Sequence, residues 1–156
     1  MRRARLSPDR AGPTCRWLGD RGALVIDVVP HGAFGSPGMP TRFYEQAVAA
    51  AQSVELDGET IRVFSAPFLF ATKIEAFADR VAADPYASED LEDLVQLLEH
   101  SRGLVDAIDG CPDVRLHVSE WARRFAAQPR AAELVEGHGG RPRARDALAR
   151  LGSLAQ

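Results

Sequence analysis

The chain has 156 residues, of which 46% are apolar, so it is long enough for one domain with a core of its own. Its net charge of −3 excludes a protein built around a basic nucleic-acid-binding face. It shows neither a signal peptide's apolar run nor a membrane span, and its two cysteines, Cys15 and Cys111, fit no metal-ligand spacing, which together predict a cytoplasmic protein with unpaired thiols and no membrane partner.

Residues 1–13 are polar, contain two prolines and read as an irregular lead-in. Thr14–Leu18 and Ala23–Val29 read as strands joined by Gly19-Asp20-Arg21-Gly22, a hairpin signal. The second of them, ALVIDVV, is apolar on both faces, as a covered central strand would be. Asp27 interrupts it, and an ionised carboxylate in such a strand needs a partner. Arg16 or another arginine across the sheet is one candidate. A divalent cation at the mouth of a site is the other.

Pro30–Pro40 is a loop rich in Gly and Pro. Gly35-Ser36 has the small residues of a phosphate-binding turn, but no acidic pair follows at a useful distance. Thr41–Ala51 reads as a short helix capped by Thr41, with Phe43, Ala47 and Ala50 or Ala51 facing inward. Ser53–Leu56 and Thr60–Phe64 flank Asp57-Gly58, a strong two-residue hairpin signal.

Ser65–Leu98 carries the chemistry. Phe70, Ile74, Phe77 and Val81 recur at helical spacing after Ser65 as N-cap and Pro67 in the first turn. Lys73 in this helix is the only lysine among 19 basic residues. A lysine offers a compact point charge where arginine offers a planar fork, which suits a phosphate oxygen reached end-on. Lys73 and Arg80, seven residues apart, fall about 20° apart around the axis, at one edge of the apolar stripe.

Asp84-Pro85 ends that helix. Ser88 caps the next one, with Glu89 and Asp90 in its first turn and Leu91, Leu94, Val95 and Leu98 as its apolar stripe. Two helices joined by a short link pack antiparallel, so the Lys73/Arg80 edge can face Asp90 and Asp93. Such a cluster either binds a ligand or is a salt bridge tying two helices. Beyond Leu98 the chain reads as three or four helices punctuated by Gly103, Gly110-Cys111-Pro112, Pro129 and Gly137-His138-Gly139-Gly140. Trp121 and Phe125 are core residues of a helix over Asp113–Ala127.

CRW, VIDVVP, RFYEQA, IRVFSAP, ATKIEAFADR and SEDLEDLVQLL, taken together from about Thr14 to about Phe125, resemble the later part of the AbiEii/AbiGii-type nucleotidyltransferase toxin family. The resemblance implies a nucleotidyltransferase fold like that of DNA polymerase β. For this chain it implies an α/β (α+β) fold, with a small mixed sheet of about four strands in residues 1–64 and a helical region in 65–156. It implies that Lys73 contacts a nucleoside triphosphate, that Asp90 and Asp93 match the acidic positions of an R-D-x-x-D motif, and that Asp27 supplies a metal carboxylate. Glu89 stands where the family motif carries Arg. Arg80 would be a second cation for the substrate, and Mg²⁺ the cofactor of an in-line transfer to an acceptor such as RNA, with a cognate antitoxin as partner. The family's first motif, a Gly-Gly or Gly-Ser turn followed by D-x-D, does not occur, so the resemblance implies a truncated fold and an incomplete enzyme. The other outcome is a non-catalytic remnant or interaction module with a structural Lys–Asp cluster.

Overall fold

The computed structural model describes residues 6–12, 15–19, 22–28, 42–79 and 84–156. The chain forms two compact units, Met1–Met39 and Pro40–Gln156. The class is α+β, as expected, but the strands are divided between two small antiparallel sheets instead of sharing one mixed sheet.

In the first unit β1 (Ser7–Pro8), β2 (Arg16–Gly19) and β3 (Leu24–Asp27) lie in the order β1-β2-β3. The lead-in thus contributes a two-residue strand, and its Pro8 is tolerated because it lies on an edge, where no ladder donor is needed. The register pairs Arg16 with Asp27 and Leu18 with Val25. β3 is an edge strand and not a covered central one. Leu24 and Val25 are exposed, because β3 pairs with β2 on one side and, among the described residues, nothing covers its faces.

The second unit begins with α1 (Tyr44–Ala49), which buries Phe43 and Ala47. The expected cap, Thr41, lies outside the described residues, as do the Pro30–Pro40 loop and Val81. The hairpin of β4 (Gln52–Leu56) and β5 (Glu59–Val63) turns at Asp57-Gly58, both at positive φ (51° and 80°), the geometry of a tight two-residue turn. This hairpin falls in the unit that holds the helices. Val54, Leu56 and Ile61, on one of its faces, are exposed.

Six more helices follow: α2 (Ala66–Asp79), α3 (Glu89–His100), α4 (Leu104–Asp109), α5 (Pro112–Ala126), α6 (Ala131–Gly139) and α7 (Arg141–Leu154). A 3₁₀ turn at Pro85–Ala87 precedes α3, opened by the Asp84 carboxylate accepting from the Tyr86 amide at 3.0 Å. Among the described residues no helix is long and apolar enough to cross a membrane.

The periodic residues of the sequence form the core. Phe70, Ile74, Leu91, Leu94, Val95 and Leu98 are each at most 2% exposed and bring α2 and α3 together. On the other side of α2 the Phe70 ring meets Trp121 edge-on at 5.6 Å, and Trp121 stacks on Phe125 at 5.1 Å. Phe70 therefore joins α2 to α5. Phe70→Ala leaves an aromatic-sized void at this junction and should lower unfolding free energy by about 3–5 kcal/mol, read from denaturant titration with an unchanged slope.

Candidate functional site

The site is built where α2 and α3 pack. Ser65 accepts the first helical hydrogen bond of α2 from the Leu69 amide, and Ser88 Oγ caps α3 by accepting from the Leu91 amide at 3.2 Å. These two starts set which faces the helices present. Lys73 stands at the edge of the α2 stripe, with its ammonium 3.2 Å from Asp90 Oδ1 and 2.5 Å from Asp93 Oδ2. The three residues singled out on two separate helices thus meet at one point. Arg80, predicted beside them, lies outside the described residues.

The two carboxylates differ in their surroundings. Asp90 is 5% exposed and Asp93 45%. Burial of the ammonium works to lower the Lys73 pKa, but hydrogen bonds and charges, those of Asp93 ahead of those of Asp90, outweigh it, and the net shift is upward. Lys73 is therefore held as a cation.

Lys73 and Asp93 line a solvent-open cavity of 360 Å³ with Leu69, Gln96, Leu97, His100 and Ser101. Asp93, Gln96, Leu97 and His100 follow the i, i+3, i+4, i+7 rule, so one stripe of α3 forms a wall about 10 Å long. His100 closes the far end: Nδ1 donates to the Gln96 carbonyl at 3.0 Å and Nε2 accepts from Arg143 at 2.7 Å. Sequence reasoning missed these residues. Only their spacing from Asp93 signals them.

Asp27 belongs to the first unit. Arg16 donates Nε to Oδ1 and Nη2 to Oδ2, each at 2.9 Å, so the pairing across the hairpin is the one present. The hydrogen bonds from Arg16 hold the Asp27 pKa below the ordinary carboxylate value. The fit to Mg²⁺ is poor. Lys73 bridges the facing oxygens of Asp90 and Asp93, Arg16 takes both oxygens of Asp27, and no three metal-ligating side chains converge among the described residues.

A second polar cluster lies on another face of α2. His117 of α5 is 10% exposed, meets the Phe43 ring at a tilt with centroids 5.0 Å apart, and has Nε2 3.0 Å from Glu75 Oε1, outside hydrogen-bond alignment. Arg42 Nη1 lies 3.5 Å from His117 Nδ1. Burial first, then the positive charges of Arg42 and Arg124, lowers the His117 pKa against the opposing pull of Glu75 and Glu120. Glu75 was visible in the K-x-E-A-F run, but nothing in the sequence joins it to a histidine 42 positions later.

Two outcomes follow. Lys73→Ala removes one charged partner of the buried Asp90 and should lower stability by about 1–3 kcal/mol, whereas Asp93→Asn, at an exposed pair, should change it by less than about 0.5 kcal/mol; equal effects in thermal or chemical unfolding would contradict the unequal burial. The lowered His117 pKa means that the unfolded chain binds more protons just below the ordinary value of 6.5. Stability should therefore fall as pH drops from 6.5 towards the folded value, and His117→Gln should flatten that part of the stability–pH curve.

Compared with protein-family models, with curated proteins and with solved structures, the chain has no match.

Proposed function

We propose that this chain is a cytoplasmic nucleotidyltransferase-like protein, related to the toxin of a toxin–antitoxin pair. It takes a nucleoside triphosphate at Lys73 and passes its nucleotidyl group to an acceptor such as RNA, with pyrophosphate as the leaving group. The observation that supports this most is the meeting of Lys73, Asp90 and Asp93 at the rim of one 360 Å³ cavity. That volume lies within the range of small-molecule sites. A phosphate oxygen is bound well by an end-on ammonium, and Arg80 belongs to the proposal as a second cation. The first-motif carboxylates that would complete a metal site do not occur in the sequence.

One observation favours a second reading. Both neighbours of the ammonium are protein carboxylates, so the cluster already functions as a tie between α2 and α3. In that reading the chain is a non-catalytic remnant or an interaction module.

Calorimetric titration with nucleoside triphosphates, with and without Mg²⁺, separates the two. The enzyme-like reading expects binding that Lys73→Ala reduces by tenfold or more, about 1.4 kcal/mol, and transfer of labelled nucleotide to RNA. Should Lys73→Ala lower the melting temperature while nucleotide affinity stays unchanged, the cluster is structural and the second reading holds.

A further inference from the structure

The two partners of Lys73 are not equivalent, and their placement says which one a ligand could replace. Asp90 is 5% exposed and does not line the cavity, so it holds the ammonium from the interior side. Asp93 is 45% exposed, lines the cavity, and makes the shorter ion pair, 2.5 Å against 3.2 Å. It therefore fills the position on Lys73 that faces open space. An anionic group entering the cavity would meet the Asp93 carboxylate beside the ammonium. It could reach the ammonium by taking over the Asp93 position.

We propose that Asp93 is a built-in competitor for a phosphate-type ligand: its carboxylate occupies the ammonium's cavity-facing position, and binding exchanges it for a phosphate oxygen while Asp90 keeps Lys73 in place. The exchange forms one N–H···O contact and breaks another, with no covalent change. The displaced carboxylate is solvated, which its exposure permits without backbone movement. Asp90 is not placed for the same move, because its carboxylate is 5% exposed and does not line the cavity.

The rest of the cavity names the class of ligand. Leu69 and Leu97 offer an apolar wall beside the ammonium, while Gln96, Ser101 and His100 offer hydrogen-bonding groups further along. The His100 ring nitrogens are already engaged, Nδ1 with the Gln96 carbonyl and Nε2 with Arg143. A phosphate ester with a partly apolar body, the shape of a nucleotide, fits this order of groups. The ligand class rests on the nucleotide reading above. The competitor role rests on the geometry of Lys73, Asp90 and Asp93.

The resemblance and the structure therefore differ over one residue. If Asp93 assists substrate binding, removing its charge weakens binding. If it competes, removal strengthens binding.

The full chain, wild type and variants, is titrated calorimetrically with inorganic pyrophosphate in chelator and then with ATP and Mg²⁺. Asp93→Asn, and Asp93→Ser as a second variant, should bind pyrophosphate about fivefold or more tightly than wild type, and Lys73→Ala should lose binding in either background. Glu89→Gln, which removes an exposed acid one turn before Asp93 on the same helix, should gain clearly less. Weaker pyrophosphate and ATP binding by both Asp93 variants, with wild-type binding still dependent on Lys73, overturns the competitor and leaves the nucleotide reading intact. An equal gain in Glu89→Gln also overturns it, by showing a general charge effect. Tighter pyrophosphate binding without any ATP binding supports the competitor and removes the nucleotide reading. Binding of neither probe by any variant removes both.

Discussion

The Asp90 carboxylate, 5% exposed at the start of α3, constrains the whole helical unit, because a charge so placed needs a cation held at a fixed distance. Lys73 supplies it from α2. The pair sets the rotation of one helix against the other, and the apolar residues Phe70, Ile74, Leu91 and Leu94 then fill the seam. Ser88 caps α3 beside Asp90, so helix start, dipole and ion pair all favour the same register. The chemistry of the cluster also explains why a lysine stands there. Arg16 grips one carboxylate, Asp27, with two parallel hydrogen bonds, as a guanidinium does best. Lys73 instead bridges two carboxylates on one helix, which a point charge can do and a planar fork does poorly.

Several arginines have another task. Arg62 of β5 donates to the Val48 and Ala51 carbonyls at the end of α1, at 3.0 and 3.1 Å. Arg150 of α7 donates to the Leu98 and Glu99 carbonyls at the end of α3, and Arg115 of α5 to the Leu154 carbonyl that ends α7. A helix C-terminus exposes unsatisfied carbonyls and the negative end of its dipole, and a multi-donor cation answers both. α3 is thus fixed at its N-terminus by Ser88, near it by Lys73, and at its C-terminus by Arg150. The wall of the cavity, Asp93 to His100, is part of a helix pinned along its length.

What was legible in the sequence was local. The α2 stripe from Phe70 to Phe77, the α3 stripe, the Ser88 cap, the Asp57-Gly58 turn and the core role of Trp121 and Phe125 depend on neighbours within a few positions, and each is present in the structure. The meeting of Lys73 with Asp90 and Asp93 followed from one further step, the antiparallel packing of two helices joined by a short link. The misreading of β3 has a different origin. An apolar strand can be central, but apolarity does not say what covers it, and here its exposed Leu24 and Val25 lie on an edge strand. The cavity was not legible, because Leu69, Gln96 and Leu97 are ordinary helix residues and a gap between helices is a property of their separation. The Glu75–His117 pair joins α2 to α5, a separation that no local pattern spans.

α2 holds two polar clusters that do not share a face. Lys73 and Glu75 are two residues apart, hence about 200° apart around the axis, one turned to α3 and the other to α5 and Arg42. Phe70, Ala71 and Ile74, each at most 2% exposed, occupy the core stripe of the same helix. A rigid α2 makes the unequal burial of Asp90 and Asp93 meaningful. If α2 could roll, Lys73 would serve whichever acid was nearer, and neither would be a fixed anchor. Because it is wedged on both flanks, the ammonium stays at Asp90, and the cavity-side acid is left as the partner able to move. The resemblance gives Lys73 one role and Asp90 and Asp93 the positions of one motif; in the structure the two acids differ, one buried and one exposed at the cavity.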